Sequence, residues 1–68
     1  MGRKQALGKM LKRIRETKGM TQAALAEKAG VTREYVTMLE SGAKKNPSLD
    51  LLKRLAKALG VSVTELLS

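Results

Sequence analysis

Basic side chains are the main chemical resource of this 68-residue chain, which carries 14 lysines and arginines against 6 aspartates and glutamates. The formal charge of +8 favours a polyanionic partner, because clustered cations displace counterions from phosphates. The sequence has neither cysteine nor histidine, so thiol nucleophiles, imidazole bases, disulfides and the common zinc and haem ligand sets are missing. We therefore predict a binding protein that is not an enzyme and that uses neither a metal nor another cofactor.

The positive charge is concentrated towards the N-terminus. Residues 1–20 hold seven basic side chains and one acidic side chain, whereas residues 21–68 hold seven and five. We expect residues 1–4, with Arg3 and Lys4, to be either a flexible arm that follows the polyanion or an ordinary frayed terminus. The N-terminal residues lack the apolar run of a signal peptide or membrane span, and the lack of cysteine fits a reducing compartment, so we expect a cytoplasmic protein.

The elements that must position the basic side chains are predicted to be five short helices. Apolar residues recur at helical spacing, as Leu7, Leu11 and Ile14 do. Serine or threonine N-caps begin the later helices, glycines end most of them, and Ser62 with Glu65 forms a capping box. The sequence thus predicts one compact all-α domain over residues 1–68, with helices at about residues 4–18, 21–29, 32–41, 48–59 and 62–66.

The connection between the second and third helices is very short, because only Gly30 and Val31 precede the cap of the third helix. Such a connection makes the two helices cross steeply, which predicts a helix-turn-helix at about residues 21–41. With Val36 and Leu39 pointing inward, a few side chains project from the N-terminal half of a helix narrow enough for a major groove of DNA. Those side chains are Arg33, Glu34, Thr37 and Met38.

A series of short motifs in this order resembles the helix-turn-helix domain of the lambda-repressor and Cro type, also called the XRE family. The likeness covers about residues 7–67, and it implies a five-helix fold that binds double-stranded DNA sequence-specifically to regulate transcription, for example as a repressor. The motifs are Thr21-Gln22, Leu25-Ala26, Ala29-Gly30-Val31, Leu39-Glu40-Ser41-Gly42 and Leu59-Gly60-Val61.

The resemblance implies that four positions of the third helix contact bases. Arg33 offers a bidentate fork to the O6 and N7 atoms of guanine. Glu34 either accepts from a cytosine amino group, holds Arg33 in place, or only favours the dipole of its helix. Thr37 matches a later reading position. Met38 departs from the polar side chains usual at its position, and it either packs on a thymine methyl group or turns partly into the core.

The resemblance also implies contacts with the DNA backbone. Gln22 matches a glutamine that bonds a phosphate and braces the first reading side chain, the alternative being a solvated residue. Arg15 matches an arginine that pairs with Glu40 and faces the backbone, and Tyr35 either gives its hydroxyl to a phosphate or flanks the core. Four further residues straddle the phosphates beyond the third helix, unless they are only solvated: Lys44, Lys45, Asn46 and Ser48.

A homodimer on a palindromic operator is expected, because one recognition helix covers only a few base pairs. The residues expected at the dimer interface, unless they only close the core of the single chain, are Val61, Val63, Leu66 and Leu67.

Two other classes of function are weighed against DNA binding. A protein-interaction module of the same fold, such as an antitoxin or a coactivator-like domain, would tolerate the unusual Met38 and use Glu34 as an interface residue. A membrane-surface peptide built on the basic first helix is disfavoured, since that helix lacks interfacial tryptophan or phenylalanine.

Overall fold

The computed structural model describes residues 6–67, and all regular elements within that range are helices. The predicted all-α class and the five helices are therefore confirmed. The predicted start of the first helix, at about residue 4, lies outside the described residues, and the other helix ends lie within one or two residues of the expected positions. The predicted basic arm, with Arg3 and Lys4, lies outside the described residues. The helices are α1 (Ala6–Thr17), α2 (Gln22–Ala29), α3 (Arg33–Ser41), α4 (Leu49–Leu59) and α5 (Val63–Leu66).

Side-chain caps fix where four of the helices begin. Thr21 and Thr32 each accept a hydrogen bond of 3.0 Å from the backbone N–H three residues later. Ser48 does the same for α4 at 3.2 Å. At α5 the Ser62 side chain accepts from the N–H of Glu65, whose carboxylate accepts from the N–H of Ser62, so the predicted capping box is confirmed. Each cap satisfies a donor that the first turn of a helix leaves without a partner.

The core is aliphatic and lies where all five helices meet. Its largest side chains are exposed by no more than 1% of their surface, and alanines of α2 and α4 fill the spaces between them. Val36 and Leu39 are in this set, so the predicted inward face of α3 is confirmed. The fully buried side chains are Leu11, Leu25, Val36, Leu39, Leu55 and Leu66.

The turn between α2 and α3 is held from behind by α4. Gly30 ends α2 in the left-handed region, with a φ of 74° that a side chain would strain. Arg54 donates from Nε to the carbonyl oxygen of Ala29 at 3.1 Å and from a terminal nitrogen to that of Gly30 at 2.9 Å. These bonds place a cation on the carbonyl end of α2, where the helix dipole is negative. Arg54 therefore ties the position of α3 to α4.

A close approach of α1 to the end of α3 completes the frame. Gly8 is buried, and a Cβ atom there would clash with the carbonyl oxygen of Leu39 and lie 3.0 Å from that of Glu40. The lack of a side chain at Gly8 therefore lets α1 rest directly on the last turn of α3. None of the helices within residues 6–67 has the length and apolar content needed to cross a bilayer.

Candidate nucleic-acid interface

The outer face of α3 brings the four predicted base-reading side chains together. Arg33, Glu34, Thr37 and Met38 are all exposed, and they line one shallow cleft. Their spacing of one, four and five residues places them on a single stripe of the helix. The opposite stripe is anchored in the core, so the helix presents these four side chains to solvent as one surface.

Met38 was expected either to face solvent or to turn partly into the core. Its side chain is 36% exposed and lies beside Glu34 in the cleft. Met38 is therefore partly exposed on the outer face of α3, where it offers an apolar contact among polar neighbours, and it is not among the residues that pack against the core.

Thr37 connects the outer face of α3, which is the predicted reading face, to α2. Its Oγ1 lies 3.1 Å from Oε1 of Gln22 and 3.1 Å from the carbonyl oxygen of Arg33. The hydroxyl has one hydrogen, which these two acceptors share. Gln22 is thus linked to the third helix at a predicted reading position and does not lie free in solvent.

Gln22 is held on its other side by Glu40. Nε2 of Gln22 donates to Oε1 of Glu40 at 3.0 Å, while Oε1 of Gln22 faces Thr37. Reversing the amide would turn its oxygen towards the carboxylate, so the two contacts fix its orientation. One hydrogen on Nε2 is left for another acceptor near the start of α2, where the helix dipole attracts anions.

Glu40 also forms the predicted pair with Arg15, through two hydrogen bonds. Nε of Arg15 donates to Oε2 of Glu40 at 2.7 Å, and a terminal nitrogen donates to Oε1 at 3.1 Å. The two side chains are 9% and 4% exposed, so the pair is buried. The carboxylate of Glu40 therefore joins three segments of the chain that are far apart in sequence: α1, the start of α2 and the end of α3.

Arg15 itself is almost enclosed, with 7% of its surface exposed. Its other terminal nitrogen donates to the carbonyl oxygen of Met20 at 2.7 Å. The hydrogen bond and the charge of Glu40 raise the pKa of Arg15 above its ordinary value, although burial opposes this. Three of the five N–H groups are thereby engaged, which leaves two for the phosphate contact expected of this residue.

The loop after α3 is folded back on that helix. The backbone N–H of Lys44 donates to the carbonyl oxygen of Met38 at 3.0 Å, and that of Ala43 donates to Oγ of Ser41 at 3.3 Å. These bonds keep the loop beside the reading face. The expected backbone contacts in and after the loop are all exposed: Lys44, Lys45, Asn46 and Ser48.

Tyr35 and the C-terminal residues occupy mixed surroundings. Tyr35, Val61 and Val63 are half-buried and pack against the core. Leu66 is wholly buried, so within the single chain it closes the core, whereas Leu67 is 51% exposed. Of the four residues predicted at a dimer interface, only Leu67 and the outer edges of the two valines are therefore accessible on the single chain.

Sequence reasoning missed two parts of this site. It gave Gln22 no protein partner at Glu40, and it assigned nothing to Arg54, which braces the turn before α3. Both contacts join residues 18 to 25 positions apart, so no local sequence pattern predicts them. The only sequence feature at Arg54 is its position four residues after Asp50 in α4. This spacing indicates an exposed i, i+4 ion pair rather than a contact with the turn before α3.

Comparison with known proteins gives consistent matches over almost the whole chain. Residues 11–66 match the helix-turn-helix protein family. The HTH-type transcriptional regulator SinR of Bacillus subtilis is 39% identical over 61 residues, which are 90% of this chain and 55% of that protein. The chain thus spans just over half the length of this relative.

Two solved structures are similar throughout. The restriction-modification controller protein C.AhdI from Aeromonas hydrophila has a TM-score of 0.89 at 35% identity, over 97% of this chain and 98% of that one. SinR, the master regulator for biofilm formation, in complex with DNA, has a TM-score of 0.87 at 39% identity, over 91% and 98%. These matches confirm the resemblance read from the motifs. These relatives are regulatory proteins, which agrees with the prediction of a binding protein rather than an enzyme.

Proposed function

Because this chain belongs to the helix-turn-helix family of DNA-binding transcriptional regulators, of the lambda-repressor or XRE type, we propose that it binds a specific double-stranded DNA sequence to control transcription. One observation carries the proposal: the exposed stripe of α3 holds four side chains suited to base edges, on a helix anchored by Val36 and Leu39. The relative SinR, crystallised with DNA, supports it.

Base reading is assigned to the outer face of α3 in the major groove. Arg33 donates to the O6 and N7 atoms of a guanine, a contact worth about 1–3 kcal/mol of discrimination. Met38 packs on a thymine methyl group, and Thr37 contacts the adjacent base pair. Glu34 accepts from a cytosine amino group or orients Arg33.

Backbone contacts are assigned to the groups around that helix, since phosphate contacts fix the register of a protein on its site. Gln22 uses its remaining Nε2 hydrogen, and Arg15 uses its two remaining N–H groups. The loop after α3 provides two lysines, and α4 provides a helix N-terminus capped by Ser48. The other residues with this role are Tyr35, Lys44, Lys45, Asn46 and Ser48.

A homodimer on a palindromic operator is the proposed binding form. Two copies place their recognition helices in successive major grooves, about 34 Å apart. The exposed Leu67, with the edges of Val61 and Val63, supplies an apolar surface for the second copy, and the buried Leu66 holds α5 in place. The operator then contains two half-sites related by a twofold axis.

The decisive experiment is selection of binding sites from random DNA duplexes, followed by binding assays on the selected site. Enrichment of one sequence is expected, and Arg33→Ala should lose preference at a single guanine position in each half-site. Arg13→Ala, which removes the same charge from an exposed position of α1, is the control and should weaken all sequences to the same extent. Selection that enriches nothing, or an Arg33→Ala variant that behaves like the control, contradicts base reading by α3.

Two further results bear on the proposal. If the unaltered protein retains no duplex even at low salt, the protein-interaction module becomes the better reading. Sedimentation in the presence of the selected site tests the homodimer: two chains per site are expected, and Leu67→Lys should reduce this to one.

A further inference from the structure

A second cleft lies at the opposite end of α3 from Arg33. It has a volume of about 290 Å³. Its lining comes from α1, from the last turn of α3 and from the following loop: Lys9, Glu40, Ser41, Gly42 and Lys45.

Two backbone contacts bring the two lysines to the same cleft. Gly8 lets α1 rest on the carbonyl groups of Leu39 and Glu40, and Lys9 is the next residue along α1. On the other side, the hydrogen bond from the N–H of Lys44 to the carbonyl oxygen of Met38 folds the loop over α3 and brings Lys45 with it. Both lysine side chains are exposed.

The charge of the cleft is positive despite Glu40. The carboxylate of Glu40 is engaged by Arg15 through both oxygens, and no ion pair among residues 6–67 involves Lys9 or Lys45. Lys9 is followed at three and four positions by Lys12 and Arg13, like charges on one helix surface that repel one another. An anion at this cleft would relieve that repulsion.

The length of α3 places the cleft at the wall of a DNA groove. Nine residues at 1.5 Å each put the last residue of α3 about 12 Å from the first, which exceeds the depth of the major groove of about 8.5 Å. When the Arg33 end of α3 enters the groove, the other end therefore lies at the level of the bordering phosphates.

We propose that Lys9 and Lys45 form a clamp on a single DNA phosphate at the C-terminal end of the recognition helix. The clamp rests on the proposed DNA-binding function and adds Lys9, in the first turn of α1, to the DNA contact already proposed for Arg15 near the other end of that helix. Its ligand is a phosphodiester of any sequence, so it contributes to affinity and to register but not to base preference.

The test compares the double variant Lys9→Gln/Lys45→Gln with a matched double variant, Lys28→Gln/Lys57→Gln. The control pair removes the same charge from the last turns of α2 and α4, at the far end of both helices from Gln22 and Ser48. Binding to the selected site and to a random duplex is measured across a salt series, and each result is divided by the number of chains bound. Thermal melting of each variant checks that the fold is retained, and Lys9→Arg keeps the charge as a rescue.

Loss of one shared phosphate contact gives a distinct result. The clamp variant should bind both duplexes up to about eightfold more weakly than the unaltered protein at 0.1 M salt, with the slope of log affinity against log salt reduced by about 0.9. Lys9→Arg should bind as the unaltered protein does. A slope reduced by about 1.8 would mean two separate phosphates and would overturn the clamp, as would a loss no greater than that of the control.

The same series separates the clamp from the function on which it rests. If the unaltered protein binds duplex DNA and the clamp and control variants bind alike, only the clamp fails. If the unaltered protein binds no duplex at 50 mM salt, the DNA-binding function itself fails.

Discussion

The outer face of α3 and its C-terminal end differ in how exposed and how firmly held their side chains are. On the outer side Arg33, Glu34 and Met38 are exposed and line an open cleft. At the C-terminal end of the same helix, Glu40 is buried and bonded to Arg15 and Gln22. Nine residues thus hold both a set of free side chains and a fixed junction of three chain segments.

This difference separates recognition from stability. The outer side chains contribute little to folding, so their chemistry is free to match a particular base sequence. The buried junction holds the helix in position, and within the described residues no buried side-chain nitrogen or oxygen atom lacks a hydrogen-bond partner. Thr37 is where the two sides meet, because its hydroxyl reaches Gln22 from the reading face.

The largest expected effect is the loss of the buried carboxylate. Glu40→Ala leaves Arg15 enclosed without its counterion and Gln22 without its acceptor, which should lower the free energy of unfolding by about 3–5 kcal/mol. Urea denaturation followed by circular dichroism measures this loss. In a domain of this size, a loss of this magnitude is a large share of the total stability.

Glu34→Ala is the matched control, since it removes a carboxylate from the exposed side of the same helix. Its cost should stay below about 1 kcal/mol, the contribution of an exposed acid to the helix dipole. Equal losses for the two variants would contradict the separation of the two sides.

A second effect concerns the contact between α1 and α3. In an open helix Gly8→Ala would stabilise the protein by about 0.5–1 kcal/mol, since alanine is the better helix former. Here the new methyl group meets the carbonyl oxygen of Leu39, so we expect a loss of about 1–3 kcal/mol instead. The sign of the change in urea denaturation decides between these, and Lys12→Ala at an exposed position of α1 should be nearly neutral.

Most of the fold can be predicted from the sequence, because the residues that determine each element lie close together in the chain. Caps such as Thr21 and Thr32 act on N–H groups three residues away, and the glycine that ends a helix acts at its own position. The outward face of α3 follows from helical spacing once Val36 and Leu39 are placed inside. Each of these features is therefore determined by a few residues that are close in sequence.

The junctions within the site are not local, and so most of them were missed. The bond between Gln22 and Glu40, and that between Arg54 and Ala29, depend on how helices pack rather than on any repeat. The pairing of Arg15 with Glu40 was expected only because the motifs resemble a known family. No sequence pattern predicted the roles of Gly8 and Lys9. The reason for a glycine within a helix becomes clear only when the residues that pack against it are known.

A smaller effect should follow from loosening the turn before α3. Arg54→Met removes the hydrogen bonds to the carbonyl oxygens of Ala29 and Gly30 but keeps the unbranched apolar part of the side chain. Because this side chain is nearly half exposed, we expect a loss of about 1 kcal/mol. Amide hydrogen exchange should become faster at Val31, whose N–H bonds to Ala26 across this turn.

Lys53→Met, at the neighbouring exposed position of α4, is the control for Arg54→Met. It removes the same charge without a carbonyl partner, so neither the stability nor the exchange at the turn should change. An unchanged exchange rate in Arg54→Met would mean that α4 does not support the turn.

The smallest effect on stability, and the most selective effect on function, is expected on the outer side. Met38→Gln keeps the length of the side chain at the surface, so the free energy of unfolding should change by no more than about 0.5 kcal/mol. If Met38 covers a thymine methyl group, replacing that thymine by uracil should weaken the unaltered protein by about 0.8 kcal/mol, the value of one buried methylene-sized group. The same replacement should leave the Met38→Gln variant unaffected. Equal losses in both proteins would place the methyl group elsewhere on α3, whereas a large loss of stability would show that Met38 belongs with the buried side of the helix.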